Sequence, residues 1–146
     1  MSNKIDNILI TGGAGYIGSH IVELLIKKKN KIFIVDNLST GYKQLINKKT
    51  TFIKGDIKNL KLVKKIIDKK KINTIIHLAA HLNVSEAESN KPKYYKNNVL
   101  GTFNLIKASK NSEVKNIIFS SSCSVYGNIK GAVGESKKLN PQGYYA

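Results

Sequence analysis

Three glycines stand at regular intervals where an apolar segment gives way to an amphipathic one. Gly12, Gly15 and Gly18 are three residues apart and follow the apolar run 7–11. In such a turn the first glycine permits the tight bend, the second lets a pyrophosphate approach the backbone, and the third lets a helix pack against a strand. A helix N-terminus adds free amides and a positive dipole end. The spacing therefore predicts a turn that binds the phosphates of a dinucleotide.

An acidic residue follows the glycines at the sequence separation that is typical of a dinucleotide-binding site. Asp36 closes the apolar run 31–35 and lies 18 positions after Gly18, close to the roughly 20 residues expected for the acid that accepts the ribose hydroxyls. A carboxylate repels the 2′-phosphate of NADP, and the sequence contains no arginine to receive that phosphate. The pattern predicts NAD as the cofactor, although lysines can partly replace the missing arginine.

The elements that must position these residues follow from an alternation of apolar and amphipathic segments. Strands that read as continuous apolar runs are typical of a parallel sheet covered by helices on both faces. Alternating strands and helices predict a doubly wound, Rossmann-like α/β sheet. The apolar residues of the last predicted helix lie near one stripe: Tyr95, Val99, Phe103 and Ile106. The predicted strands are 7–11, 31–35, 51–54, 73–78 and 116–120, and the predicted helices are 16–28, 60–67 and about 93–108.

Length and composition predict one soluble domain. The 146 residues are 41% hydrophobic and 23% charged, as in ordinary globular proteins. No apolar run approaches the ~18 residues that span a bilayer, and the first six residues show no apolar core of a secretory signal. The single cysteine, Cys123, excludes an internal disulfide, so a reducing cytoplasm is the predicted location. Cysteine and histidine spacing predicts no metal site, and His77 is predicted to be a hydrogen-bonded structural residue rather than an acid or base.

The net charge of +16 is the most unusual feature of the composition. All 25 basic residues are lysines, scattered over the predicted helices and loops. Nucleic-acid-binding proteins usually use arginine for bidentate contacts to phosphates and bases. The charge therefore predicts a solvated surface rather than a specific nucleic-acid site. The alternative is a general attraction to polyanions that weakens with salt.

Further motifs follow the glycine turn in the order found in one family. Thr-Gly-Gly-Ala-Gly-Tyr-Ile-Gly at 11–18 resembles the loop of the extended short-chain dehydrogenases/reductases, especially their UDP-glucose 4-epimerase group. Segments 36–41, 55–57 and 77–80 are similar to those that bind the adenosine ribose, the adenine and the nicotinamide-linked ribose, and 91–102 resembles a helix with a cofactor-side asparagine. The resemblance implies these cofactor contacts: Gly12, Gly15, Tyr16, Ile17, Gly18, Asp36, Asn37, Asp56, Ile57, Leu78, Ala79, Ala80, Asn98 and Ser120.

The resemblance also implies two catalytic residues. Segment 120–127 is similar to the strand-end motif that carries the family's serine, here Ser122. The end of the sequence resembles the approach to a Tyr-x-x-x-Lys motif, with Tyr145 favoured over Tyr144 because the small Ala146 follows it. A free tyrosine has a pKa of about 10, and in the family a lysine and the positive nicotinamide lower it until the tyrosine can act as a base. That lysine would fall at position 149, beyond the sequence.

The activity implied by the resemblance is epimerisation of a nucleotide sugar through a 4-keto intermediate, as between UDP-glucose and UDP-galactose. The alternatives are a nucleotide-sugar dehydratase or decarboxylase, a UDP-glucuronate epimerase, and a non-catalytic dinucleotide-binding module. We interpret 1–146 as a truncated NAD-binding domain, without the C-terminal substrate domain, and expect it to be inactive alone. The family's homodimer is not expected, since one of its two contact helices would be 95–108 and the other would lie beyond Ala146.

Overall fold

Five parallel strands form one sheet in the order β3-β2-β1-β4-β5. The computed structural model describes residues 6–146, so the prediction about a secretory signal falls almost wholly outside the described residues. Every predicted strand is present, with each end within one residue of the expected position. The strands are β1 Asn7–Thr11, β2 Lys31–Asp36, β3 Thr51–Lys54, β4 Thr74–His77 and β5 Asn116–Phe119.

Alternate residues of the central strands enter two separate apolar cores, one on each face of the sheet. Leu9 belongs to the core that includes helix α2 (Leu60–Lys69), whereas Ile8 and Ile10 belong to the core that includes helix α1 (Tyr16–Ile26). The side chains of Ile8, Leu9 and Ile10 are each 5% exposed or less. Burial on both faces explains why the strands read as continuous apolar runs. The prediction of a doubly wound parallel sheet is confirmed.

The helices after β4 form a nearly continuous segment that lies beside the sheet. Helix α3 spans Val84–Ser89 and helix α4 spans Lys91–Tyr94. A π-helical turn, Tyr95–Leu100, then leads into helix α5, Gly101–Ser109. Leu105 and Ala108 of α5 share a core with α2, so this segment is anchored on the face of the sheet that α2 covers.

The apolar stripe predicted on this last helix does not face the core. Its four residues are 47% to 57% exposed: Tyr95, Val99, Phe103 and Ile106. The buried positions are instead Tyr94, Asn97, Gly101, Leu105 and Ala108. Both sets recur every three or four residues, so the periodicity predicts a helix but does not by itself determine which face is buried.

The strand order brings the chemically interesting loops to one edge of the sheet. From β1 the chain adds β2 and β3 on one side, then returns to add β4 and β5 on the other. In open parallel sheets such a reversal opens a crevice at the carboxyl ends of the strands, where ligands bind. The glycine turn follows β1 and Asp36 ends β2, so both lie at this edge. Within residues 6–146, no helix has the length and hydrophobicity needed to cross a membrane.

Candidate functional site

A cavity of about 610 Å³ lies along the carboxyl ends of the strands. The loops after all five strands form its walls, together with part of the π-helical turn and the last residues of the chain. All sixteen residues predicted to bind the cofactor or to act in catalysis line it: Gly12, Gly15, Tyr16, Ile17, Gly18, Asp36, Asn37, Asp56, Ile57, Leu78, Ala79, Ala80, Asn98, Ser120, Ser122 and Tyr145. The structure therefore gathers the whole predicted set around one space.

The glycine turn leaves room for a ligand at one of its three positions. Gly12 has a φ of +74°, and a Cβ there would lie 2.8 Å from the backbone N of Ala79. A Cβ at Gly18 would collide with the carbonyl oxygen of Gly12. At Gly15 a Cβ would approach only that same oxygen, at 3.3 Å, so a longer side chain would extend into the cavity. The fold thus requires glycine at Gly12 and Gly18, whereas the space beside Gly15 is open to the cavity.

The N-terminus of α1 supplies hydrogen-bond donors to this space. Gly15 precedes the helix in extended backbone, and no side chain among the described residues caps it. Tyr16 and Ile17 of the first turn line the cavity and are 79% and 56% exposed. The first-turn amides and the positive end of the helix dipole suit an anionic group. The open space at Gly15 and these donors fit the pyrophosphate of a dinucleotide.

Asp36 is held in a fixed orientation at the end of β2. Its carboxylate accepts hydrogen bonds from the backbone N–H of Ala14 at 3.0 Å and from that of Leu38 at 2.8 Å. Asp36 is 8% exposed and lines the cavity. Each carboxylate oxygen has a further lone pair. The arrangement suits an acceptor for the two hydroxyls of a ribose, as the sequence predicts.

A second carboxylate, Asp56, lies beside Asp36's neighbour Asn37. The Asn37 side-chain amide donates to Asp56 at 3.0 Å, and the backbone N–H of Lys58 donates to it at 2.8 Å. Burial opposes ionisation of Asp56, but these hydrogen bonds and the Lys58 ammonium outweigh it and hold its pKa below the ordinary value. Asp56 is therefore a charged acceptor at the part of the cavity where the sequence predicts an adenine contact.

Ser122 is fixed at the start of a short helical turn after β5. Its Oγ accepts a hydrogen bond from the Ser124 N–H at 3.2 Å. The turn ends at Gly127, whose φ is +73° and where a Cβ would collide with the carbonyl oxygen of Asn140. The Asn140 N–H donates to the Val125 carbonyl at 2.9 Å. The final segment of the chain is therefore packed against the serine-containing loop.

The two neighbouring tyrosines at the end of the chain face different ways. Tyr145 lines the cavity, as Ser122 does, whereas Tyr144 does not. The backbone N–H of Tyr144 donates to the Glu88 carboxylate, and Lys91 Nζ lies 5.6 Å from the centre of the Tyr144 ring. These contacts with α3 and α4 hold Tyr144 outside the cavity. The geometry supports Tyr145, the residue that the sequence favours, as the tyrosine that faces a ligand.

His77 lines the cavity but is not an open acid or base. It is 3% exposed, and burial lowers its pKa to about 4. Its two ring nitrogens pair with the hydroxyls of Thr11, at 2.6 Å, and Thr102, at 2.8 Å. The imidazole is therefore neutral at neutral pH, in agreement with the structural role predicted for it.

The burial of His77 makes the stability of the chain depend on pH. The folded-state pKa of about 4 lies below the ordinary value of 6.5, so between these pH values the unfolded chain binds a proton that the folded chain does not. We expect the free energy of unfolding to be unaffected by His77 above pH 6.5 and to fall by up to about 3 kcal/mol as the pH drops to 4. Urea unfolding at a series of pH values, by circular dichroism, measures this loss.

A pair of histidine variants isolates this contribution. His77→Gln should remove most of the pH dependence between 6.5 and 4, although it also lowers stability throughout. His20→Gln, at an exposed position on α1, should retain the decline. An equal slope in His77→Gln and the unmodified chain would show that other groups cause it.

Some residues that line the cavity were not predicted. Asn97 and Thr102 of the helical segment and Val125 of the serine-containing loop belong to this set. Asn97 was missed because it belongs to the face of the helical segment that the sequence did not identify as buried. Thr102 could have been predicted from the sequence, because it follows the predicted Asn98 by four residues and so lies on the same helix face.

Comparison with known proteins decides the family. The NAD dependent epimerase/dehydratase family matches residues 8–146, nearly the whole chain. This chain belongs to that family. The predicted resemblance is confirmed, and the cofactor on which the family depends is NAD, as the glycine turn and Asp36 indicate.

Members of the epimerase/dehydratase family resemble this chain in both sequence and fold. The chain is 42% identical over 135 residues to the UDP-glucose 4-epimerase of Lactobacillus helveticus, which covers 92% of the chain and 41% of that protein. The structure of UDP-glucose 4-epimerase from Brucella ovis in complex with NAD superposes with a TM-score of 0.90 at 38% identity, covering 96% of this chain and 43% of that one. The Thermotoga maritima UDP-glucose 4-epimerase with UDP-glucose gives a TM-score of 0.90 at 34% identity, covering 95% and 46%. The chain thus spans less than half the length of these relatives.

Proposed function

We propose that this chain is the NAD-binding part of a nucleotide-sugar 4-epimerase that interconverts UDP-hexoses through a 4-keto sugar. The observation that carries the proposal is the position of Ser122 and Tyr145, which line the same cavity as the glycine turn and Asp36. A serine and a tyrosine next to a dinucleotide site provide the two hydroxyl groups that oxidation of a sugar alcohol needs. The similarity to UDP-glucose 4-epimerases supports C4 as the reacting position.

Each of the two hydroxyl groups has a distinct task in the proposed reaction. Tyr145, as phenolate, accepts the proton of the sugar C4 hydroxyl while hydride leaves the same carbon. Ser122 binds the C4 oxygen and orients it towards Tyr145. NAD, when bound, supplies the acceptor for that hydride. Return of the hydride to the opposite face of the keto sugar, with the proton coming back from Tyr145, gives the C4 epimer.

Recognition of the nucleotide sugar is assigned to a different part of the enzyme. Residues 1–146 supply the cofactor site and the two hydroxyl groups in this proposal. The part of the relatives' length that the chain does not span would supply the sugar-nucleotide pocket and the lysine beside the catalytic tyrosine. A dehydratase or a decarboxylase would share the C4 oxidation and differ in the step after it. A non-catalytic dinucleotide-binding module would carry out no oxidation.

A chimera tests the chemistry assigned to this chain. Residues 1–146 are joined to the remaining length of the Lactobacillus helveticus UDP-glucose 4-epimerase, and conversion of UDP-galactose to UDP-glucose is followed by NMR. Tyr145→Phe should lower kcat by about 10²- to 10⁴-fold, because the proton acceptor is lost.

Tyr144→Phe is the matched control, one residue away and outside the cavity. It should retain a kcat within about threefold of the unmodified chimera. Loss of activity in Tyr144→Phe with retention in Tyr145→Phe would contradict the assignment. A keto sugar or a decarboxylated product would instead support one of the alternative reactions.

A further inference from the structure

His77 joins three parts of the molecule that border the cavity. It ends β4, and its ring contacts Thr11 at the end of β1 and Thr102 at the start of α5. Thr11 is fully buried and His77 is 3% exposed. The Thr102 hydroxyl also pairs with the backbone carbonyl of Asn98, at 2.6 Å. One imidazole thus links two strand ends to the helical segment that carries a predicted cofactor residue.

The direction of these hydrogen bonds follows from the groups themselves. A carbonyl only accepts, so the Thr102 hydroxyl donates its single proton to Asn98 O. Thr102 Oγ1 must then accept from His77 Nε2, which carries the ring proton. His77 Nδ1 is consequently the acceptor for the Thr11 hydroxyl, and Thr11 Oγ1 remains free to accept from the Ala79 N–H at 3.4 Å. The geometry therefore allows one neutral tautomer, with the proton on Nε2.

The loop 78–81, which lines the cavity, is held at both ends by this network. Its first part is held through Ala79 and Thr11. At its other end the Asn98 side chain accepts from the His81 N–H and donates to the His81 carbonyl, both at 2.9 Å. Asn98 lies in the π-helical turn, and its backbone carbonyl accepts a hydrogen bond from the Thr102 hydroxyl. The position of Asn98 therefore depends on this bond.

We propose that His77 is a positioning residue for NAD binding, which fixes the loop 78–81 relative to Asn98. The inference rests on the proposed cofactor site and adds to it a role for a buried residue whose two ring nitrogens are both bonded to threonine hydroxyl groups of the protein. Hydrogen bonds that all run in one direction strengthen one another. Removing a single hydroxyl from the chain of bonds should therefore loosen the loop without opening the core.

The histidine tautomer is measured by NMR of the ¹⁵N-labelled chain. We expect the imidazole of His77 to show a protonated Nε2 and an unprotonated Nδ1 at neutral pH. A proton on Nδ1, or an imidazolium, would overturn the inference. The spectrum of the unmodified chain decides this point whether or not any variant folds.

The Thr102 hydroxyl is tested with two variants, one that removes the hydroxyl group and one that keeps it. Thr102→Val removes the hydroxyl and keeps the branched shape, whereas Thr102→Ser keeps the hydroxyl. Calorimetry with NAD should give about tenfold weaker binding for Thr102→Val, and Thr102→Ser should restore affinity to within about threefold of the unmodified chain. Equal affinity in the valine variant and the unmodified chain would contradict the inference.

Hydrogen exchange, measured together with NAD binding, shows whether the role of His77 or the proposed cofactor site is wrong. Thr102→Val should speed hydrogen exchange at the His81 amide, while Thr102→Ser should not. A folded, unmodified chain that binds no NAD would contradict the cofactor site itself. NAD binding with no difference between the valine and serine variants, in affinity or in exchange, would contradict only the role of His77.

Discussion

Replacing Asp36 by asparagine should weaken NAD binding by about 10- to 150-fold. The carboxylate is 8% exposed and held by the N–H groups of Ala14 and Leu38, so its remaining lone pairs have a fixed direction. A neutral amide presents its own N–H groups to these donors and cannot accept from both ribose hydroxyls. Hydrogen bonds to a charged group contribute about 1.5–3 kcal/mol, which corresponds to this loss in affinity. Calorimetric titration of the two proteins measures it.

A matched acidic residue outside the cavity provides the control. Asp68 on α2 pairs with Lys64 at 3.3 Å on the surface, and Asp68→Asn should leave the Kd for NAD within about twofold, because such pairs contribute little. Asp36→Asn should also narrow the preference for NAD over NADP, since the repulsion of the 2′-phosphate is removed. Equal effects of the two substitutions on NAD binding would contradict the assignment of Asp36.

Alanine at Gly15 should weaken NAD binding, whereas alanine at Gly18 should lower the stability of the fold. Gly15→Ala should fold normally, because its Cβ would approach only the Gly12 oxygen at 3.3 Å, yet bind NAD about 10- to 100-fold more weakly. The methyl group would occupy the space where the pyrophosphate meets the helix amides. Gly18→Ala should lower the free energy of unfolding by about 1–2 kcal/mol, because its Cβ would collide with backbone and overpacking of up to ~3 kcal/mol outweighs the ~1 kcal/mol gain in helix propensity.

Two measurements on both variants distinguish an effect on NAD binding from an effect on folding stability. Urea unfolding gives the stability, and NAD titration gives the affinity. A destabilised Gly15→Ala variant with normal affinity would contradict the proposed phosphate position. A Gly18→Ala variant as stable as the unmodified chain would contradict the close packing of α1 on the glycine turn.

The sequence predicted most of the fold because the central strands β1, β2 and β4 are buried on both faces. Strands such as 7–11 and 31–35 have no polar face, so their apolar runs mark them as interior strands of a parallel sheet. The glycine turn and Asp36 could be predicted because each residue type meets a local requirement of a dinucleotide site. Ser122 and Tyr145 came from family resemblance instead, since nothing in their spacing places them in the same cavity.

Properties that depend on the meeting of distant segments could not be predicted from the sequence. The helical segment after β4 carries two sets of residues at the same spacing, and its packing against α2 decides that the buried face includes Asn97 and Gly101 rather than the expected stripe. The network around His77 needs the ends of β1 and β4 and the start of α5 to meet. The hydrogen bond between the Tyr144 N–H and the Glu88 carboxylate likewise joins residues 56 positions apart. Local sequence patterns carry no information about contacts at that separation.

Titration of the purified 146-residue chain with NAD, and in parallel with NADP, tests the central claim most directly. Circular dichroism first establishes that the chain is folded, and isothermal calorimetry then measures binding. The structure predicts saturable binding of one NAD per chain, with NADP at least about tenfold weaker because Asp36 repels its 2′-phosphate. A folded chain that shows no saturable NAD binding, or that binds NADP as tightly as NAD, would contradict the assignment of the cavity as an NAD site.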